Sequence, residues 1–213
     1  MTDYGHMRSK DKDTILLVWV WMNFESPMNT RKTSGLGKLF NVTLNYCWNA
    51  DIKVRKRLVF SNSEIEEDLP IQKKVTNCWI VTNWNENHYR VKYYQLLSKF
   101  ITFNTYGAHF NNKQISHEEY TSTVASCKFY LSFHNTREHP DYMTEKLFNA
   151  MKLGSVPVAL GPPRQVYEKF IPGDAFVHVD DFSKLEKLAQ YLQSMSEDEY
   201  SKLFRWRKFF KVN

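Results

Sequence analysis

From residue 77 onward, short β-branched and aromatic runs alternate with stretches of helical spacing, the pattern of a parallel sheet wrapped by helices. Strands are predicted at Cys78–Val81, Ile101–Tyr106, Lys128–Phe133, Ser155–Leu160 and Ala175–Val179. Between them, Phe182, Leu185, Leu188, Ala189 and Leu192 recur at helical spacing, with Ser183 placed to cap the start. Residues 143–153 turn Leu147, Ala150 and Met151 inward and stop at Gly154, a residue suited to the left-handed turn that ends a helix. Residues 88–99 are helical but not cleanly amphipathic, with Val91, Tyr94, Gln95 and Ser98 on one stripe and Leu96, Leu97 and Phe100 near another. The N-terminal part is less regular. It holds an apolar strand, Ile15–Trp21, a polar loop from Glu25 to Gly37, a strand at Val42–Tyr46 and a charged stretch through Asp68. Pro70–Thr76 has linker chemistry, which divides the chain into a first lobe, residues 1–75, and a Rossmann-like second lobe, residues 76–213.

With 42% hydrophobic, 24% charged and 15% aromatic residues, and only seven Gly and seven Pro, the composition excludes disordered, collagenous and low-complexity chains. The longest apolar run, Ile15–Trp21, is far short of the roughly 20 residues of a membrane-spanning helix, and residues 1–13 lack the order of a signal peptide. The charge balance, 29 Lys+Arg against 23 Asp+Glu, gives +6. Its densest basic cluster, Lys53, Arg55, Lys56 and Arg57, is soon answered by Glu64, Glu66, Glu67 and Asp68, and no zinc finger, basic zipper or RNA-binding aromatic pair accompanies it. Nucleic-acid binding is therefore disfavoured. A solvated face, or a basic cleft for a small anionic ligand, remains. Cys47, Cys78 and Cys127 are too scattered for a disulfide framework or a structural zinc site and read as buried free thiols. The seven His are not spaced as metal ligands, so no metal site is expected, and His109, His117, His134, His139 and His178 read as surface or packing histidines.

The strongest candidate chemistry lies at the start of the helix over 143–153, where Glu145 and Lys146 stand side by side after Asp141, Tyr142, Met143 and Thr144. In an open α/β sheet this is the carboxyl edge, where helix amides attract phosphate: Lys146 suits a diphosphate and Glu145 a ribose diol. A helix merely capped by Asp141 or Thr144, with a solvated Glu-Lys pair, is the alternative. Asn83 ends a strand and Arg90 opens the next helix; a guanidinium fork suits a diphosphate, and an ordinary surface arginine is the alternative and, from the residue alone, the favoured one. Glu25, directly after the first apolar strand, has the placement of a general base, while a loop carboxylate capping nearby amides is the alternative and, from the residue alone, the favoured one. Asn41-Val42-Thr43 is a glycosylation sequon.

Taken together, these strings resemble the α-1,3-fucosyltransferases, which are inverting GT-B enzymes. The most specific stretches are Asp141-Tyr142-Met143-Thr144-Glu145-Lys146-Leu147-Phe148-Asn149-Ala150, Gly154-Ser155-Val156-Pro157-Val158-Ala159-Leu160-Gly161-Pro162 and Phe176-Val177-His178-Val179-Asp180-Asp181-Phe182. Cys127-Lys128-Phe129-Tyr130-Leu131-Ser132-Phe133, Trp206-Arg207, Trp21-Met22-Asn23-Phe24-Glu25-Ser26-Pro27 and Phe40-Asn41-Val42-Thr43-Leu44 also resemble the family, the vertebrate type 9 subgroup in particular.

The resemblance implies an α/β, GT-B-like fold, with a complete Rossmann-like donor lobe and part of an N-terminal acceptor lobe. It implies transfer of L-fucose from GDP-fucose, in α-1,3 linkage and with inversion, to N-acetylglucosamine of an N-acetyllactosamine-type glycan, without a metal or other cofactor. Arg90 and Lys146 would hold the diphosphate, Glu145 the ribose, and Asn135 and Tyr142 would line the donor pocket. Asn83 would belong to the family's Ser-Asn-Trp turn, here Thr82-Asn83-Trp84, and Glu25 would be the base. The resemblance also implies a lumenal Golgi setting, an anchor and further first-lobe strands preceding residue 1, and a cysteine-bearing segment following residue 213. Two segments depart from the family wording: Phe133-His134-Asn135-Thr136 replaces a usual Phe-Glu-Asn-Ser, with a loop one residue longer, and Tyr46–Ile52 lacks the family's paired arginines. The alternative function is a non-catalytic remnant that binds a nucleotide sugar or glycan.

Overall fold

The computed structural model describes residues 6–8, 15–25, 30, 35–47, 49–54, 56–61, 75–111, 115–134, 143 and 145–213. The chain divides into two compact units, Met1–Arg55 with Asp141–Met143, and Lys56–Pro140 with Thr144–Asn213. The boundary near residue 75 read from linker chemistry thus falls inside the second unit.

In the first unit, β1 (His6–Arg8) pairs antiparallel with β2 (Ile15–Leu17), while β3 (Val20–Asn23), β4 (Val42–Asn45) and β5 (Ile52–Lys53) form a parallel sheet in the order β3-β4-β5. The single strand expected at Ile15–Trp21 is therefore two strands in two sheets. The break falls at Trp19, whose backbone turns to Asn41: Trp19 N donates to Asn41 Oδ1 at 2.9 Å, and Asn41 N and Val42 N donate to Trp19 O at 2.8 and 3.2 Å. Across the sheet, Thr43 N and Oγ1 both donate to Asp51 Oδ2, at 2.8 and 2.7 Å, tying β4 to the turn before β5. Those two bonds stabilise the carboxylate and hold the Asp51 pKa below its ordinary value.

The second unit carries a five-stranded parallel sheet. Its strands are β7 (Val75–Ile80), β8 (Asn104–Tyr106), β9 (Cys127–Phe133), β10 (Val156–Leu160) and β11 (Val177–His178), in the order β11-β10-β9-β7-β8. A separate antiparallel ribbon joins β6 (Leu58–Phe60) to β12 (Phe210–Val212). Helix α1 (Tyr89–Leu97) follows β7, α2 (Ala108–Asn111) and α3 (His117–Ser126) follow β8, and α4 (Glu145–Lys152) follows β9. After β10 come α5 (Arg164–Tyr167), α6 (Leu185–Ser194) and α7 (Glu197–Lys202). Side-chain alternation along the strands makes two apolar layers. Trp79, Val81, Phe129, Leu131, Phe133, Val156, Val158 and Leu160 pack with Val91 and Leu97 of α1 and Leu188, Ala189 and Leu192 of α6. Cys78, Ile80 and Tyr130 pack with Val124 of α3 and Ala150 of α4 on the other layer.

All five predicted strands of the second lobe form, with shifted ends. The residues before β8 change most, since Ile101 and Phe103 are buried but precede the ladder. The helix expected behind Ser183 starts one residue later: Lys184, not Ser183, is the N-cap and no side chain caps it. A single helical turn at Val179–Asp181, capped by His178, occupies the preceding residues. Helices α3 and α7 were not anticipated, although each opens with a capping box that the sequence displays, Ser116 with Glu119 and Ser196 with Glu199.

Two cysteines also differ from expectation. Cys78 and Cys127 form a disulfide, with Cα atoms 6.0 Å apart, and both are fully buried; Cys47 is not in a disulfide. Their separation of 49 residues carries no local signal. The two stand on neighbouring parallel strands, Cys127 at the start of β9 and Cys78 within β7.

Candidate functional site

The strand order is that of a doubly wound sheet in which the chain leaves β7 toward β8 on one side, then returns past it to build β9, β10 and β11 on the other. The connections diverge between β7 and β9, and ligands of such sheets bind in the crevice beyond the carboxyl ends of the strands at that point. Four of the expected residues belong to this edge or follow it: Asn83 and Arg90 after β7, and Glu145 and Lys146 at the first turn of α4.

Arg90 is buried, 3% exposed, in the first turn of α1. Its guanidinium Nη2 donates to the backbone carbonyl of Asn83 at 2.7 Å and so closes the loop leaving β7. The Asn83 side chain is exposed, so the two are brought together through the Asn83 backbone. Lys146 Nζ lies 3.0 Å from Glu145 Oε1, with the two side chains 26% and 56% exposed. Partial desolvation raises the Glu145 pKa. The Lys146 ammonium, its hydrogen bond, the local backbone and His134 outweigh it, so the carboxyl is held below its ordinary value. Burial, followed by the neighbouring Tyr120, pushes the Tyr130 phenol well above its ordinary pKa; Glu145 raises it further and Arg90 lowers it, so charges after both β7 and β9 act on one buried group. Asn135 and Tyr142 lie outside the described residues.

Several further residues support this edge, His134 among them as the packing histidine expected and the others without an expected role. His134 is buried, 2% exposed, and extends the β9–β10 ladder by donating its backbone N–H to Leu160 O at 2.8 Å. Gly161 makes room for it, because a Cβ there would stand 3.0 Å from His134 Cγ and 2.6 Å from the Tyr167 hydroxyl. Ser132 Oγ donates to Lys146 O at 3.2 Å, fixing the first turn of α4 to β9. One turn on, Asn149 accepts from Lys56 Nζ and donates to the Tyr120 hydroxyl at 3.4 Å. Asn149 stands four residues after Glu145, on the same helix face, and that spacing was the available signal.

His178 is not an ordinary packing histidine. Its Nδ1 accepts from Asp180 N at 3.2 Å, which leaves Nε2 to donate to Pro162 O at 2.9 Å, and burial keeps the ring neutral by lowering its pKa. It ties the end of β11 to the Gly161-Pro162 turn after β10.

Glu25 belongs to the first unit and is described within it. It follows β3 in an exposed bend; its N–H donates to Asn23 Oδ1 at 2.9 Å, and its carbonyl accepts from the Tyr46 hydroxyl at 3.2 Å. Those two bonds fix the backbone that carries the carboxylate. Asn41, the sequon asparagine, is exposed, and its Oδ1 is held by Trp19 N. Among the described residues, no three His, Cys, Asp or Glu side chains gather as metal ligands, and no helix is long and apolar enough to cross a membrane.

Fold and edge together define a doubly wound α/β lobe with cationic side chains at its switch point. The family is fixed by sequence. Residues 70–213 match the C-terminal domain of glycosyltransferase family 10 (fucosyltransferase), and residues 3–57 match the fucosyltransferase N-terminal domain. The chain belongs to this fucosyltransferase family. It is 47% identical over 198 residues to 4-galactosyl-N-acetylglucosaminide 3-alpha-L-fucosyltransferase 9 of Rattus norvegicus, a match covering 92% of this chain and 54% of that one. It is 42% identical over 205 residues to alpha-(1,3)-fucosyltransferase 4 of Mus musculus, covering 92% and 47%. The chain thus spans about half the length of the curated relatives it matches. Its fold matches a crystal structure of an α1,3-fucosyltransferase with a TM-score of 0.55 at 22% identity, over 65% of this chain and 39% of that one. A crystal structure of an α1,3-fucosyltransferase with GDP-fucose matches with a TM-score of 0.54 at 23% identity, over 65% and 40%.

Proposed function

We propose that this chain carries the donor-binding lobe and acceptor-side residues of an α-1,3-fucosyltransferase. It would transfer L-fucose from GDP-fucose, with inversion, to N-acetylglucosamine of an N-acetyllactosamine-type glycan. The observation that carries the reading is the placement of Lys146, Glu145 and Arg90 along the switch-point edge of the sheet, in a chain of the fucosyltransferase family.

In this reading Lys146 and the Arg90 fork neutralise the diphosphate that departs as GDP, without a metal or other cofactor, because charge developing on a leaving phosphate is best met by fixed cations. Glu145, with its carboxyl held ionised by Lys146, accepts hydrogen bonds from the ribose hydroxyls. Asn135, Tyr142 and Asn83 complete the donor pocket. Glu25 takes the proton from the acceptor hydroxyl as that oxygen attacks the anomeric carbon on the face opposite GDP, which inverts the centre. The protein would work on the lumenal side of the Golgi membrane, held there by an anchor, with Asn41 glycosylated.

Incubation with GDP-fucose and N-acetyllactosamine, read by mass spectrometry, is expected to give a singly fucosylated product. GDP-fucose binding by calorimetry without transfer would favour the non-catalytic reading, and neither binding nor transfer, under conditions where the rat relative transfers, would overturn both.

A further inference from the structure

The C-terminal segment reaches back to the helix that begins with Glu145 and Lys146. Arg207 Nη2 donates to Met151 O at 2.7 Å and to Lys152 O at 3.2 Å, at the opposite end of α4. A helix leaves its last four carbonyls without partners along its own axis. In α4, Leu153 N donates to Asn149 O, Ser155 N to Ala150 O and Gly154 N to Met151 O, with Gly154 in the left-handed turn at φ +78°. Lys152 O is met by Arg207. The guanidinium is seated 5.2 Å from the Trp206 ring and 6.0 Å from the Phe204 ring, and burial lowers the Arg207 pKa. A partly buried cation is tolerated there because the carbonyl end of a helix carries partial negative charge.

The geometry points to Arg207 as a positioning residue of the donor site, one that sets where Glu145 and Lys146 stand by clamping the far end of their helix. This rests on the donor-site reading above. Helix α4 is only eight residues long, and its first turn lies about 9 Å from Lys152 at 1.5 Å per residue, so a displacement of its end moves the whole rigid element. The ribbon of β6 and β12 reinforces the clamp from two directions, since Lys56, just before β6, bonds Asn149, and Arg207 lies just before β12. Ångström-scale misplacement of binding groups is costly to affinity and catalysis, whereas the same helix would remain folded on its apolar face of Leu147, Phe148, Ala150 and Met151.

The test compares wild type with Arg207→Lys, which keeps the charge but loses the fork, and Arg207→Met, which keeps a chain of similar length between Trp206 and Phe204. GDP affinity is measured by calorimetry, and amide hydrogen exchange is followed over residues 145–152, with 185–194 of α6 as internal reference. The expected order is a Kd for GDP raised about threefold in Arg207→Lys and about tenfold in Arg207→Met, with faster exchange in α4 and unchanged exchange in α6. The KM for GDP-fucose should rise in step while kcat changes less. Unchanged exchange in α4, equal acceleration in both helices, or faster α4 exchange with unchanged GDP affinity would each overturn the assignment. If the wild-type protein binds no GDP, the donor-site reading and the assignment that rests on it both fall, and exchange in α4 then decides only whether the clamp exists.

Discussion

The parallel sheets of the two units bury their strands to different degrees. In β3, β4 and β5 no residue is fully buried, and Met22 and Ile52 are exposed. In β10 every residue is buried, and in β9 every residue except Lys128. The second unit covers its sheet on both faces, with α1 and α6 on one and α3 and α4 on the other, and adds a disulfide across β7 and β9. The first holds its residues with short polar links instead, Thr43 to Asp51, Trp19 to Asn41 and Tyr46 to Glu25. The difference sets two environments for the proposed site residues: Arg90, Glu145 and Lys146 follow strands of the covered sheet, while Glu25 sits in an exposed bend fixed through its backbone.

The sharpest way to separate the two regions is chemical. Glu25→Gln is expected to lower transfer by about 10²–10⁴-fold while leaving GDP affinity unchanged, whereas Lys146→Ala should weaken GDP binding itself. A Glu25→Gln protein that loses GDP affinity would place that residue with the donor and erase the distinction. Next in size is the covalent tie. Replacing Cys78 and Cys127 together by Ala should cost about 4 kcal/mol, given the 49-residue separation, as measured by denaturant unfolding; no loss would show that packing alone holds β7 to β9.

A matched pair tests burial directly. Leu131→Ala in β9 should cost about 3 kcal/mol and Leu44→Ala in β4 about 1 kcal/mol, so equal losses would break the comparison. The smallest effect concerns pH. Burial depresses the folded-state pKa of His178 below the unfolded value of about 6.5. The unfolded chain therefore binds the extra proton more readily, so the contribution of this ring is complete above about pH 6.5 and is lost as pH falls through the lower, folded value. A His178→Gln protein should show a smaller drop in Tm between about pH 7.5 and about pH 5.5 than wild type. An equal drop would assign the pH response elsewhere.

Much of the second unit was legible because its signals are local. Alternating strand and helix patterns, the inward stripe of Leu147, Ala150 and Met151, and the glycine stop at Gly154 all repeat within about ten residues, and all appear in the structure. Glu145 and Lys146 were legible for the same reason, as the first turn of a helix that follows a strand and loop. Ile15–Trp21 shows the limit. Its continuous apolar run gave no hint of the turn at Trp19, because the partner that makes the turn is Asn41, 22 residues away.

The amino-acid sequence by itself determined the class of fold, the family and the residues of the cationic edge, since periodicity and motif wording are properties of neighbouring positions. Only the tertiary structure decided that Cys78 joins Cys127, that His178 locks against Pro162 and that Arg207 holds the end of α4. Each of these contacts depends on the tertiary path of the chain, which brings together residues 16 to 56 positions apart that carry no mark of one another along the chain.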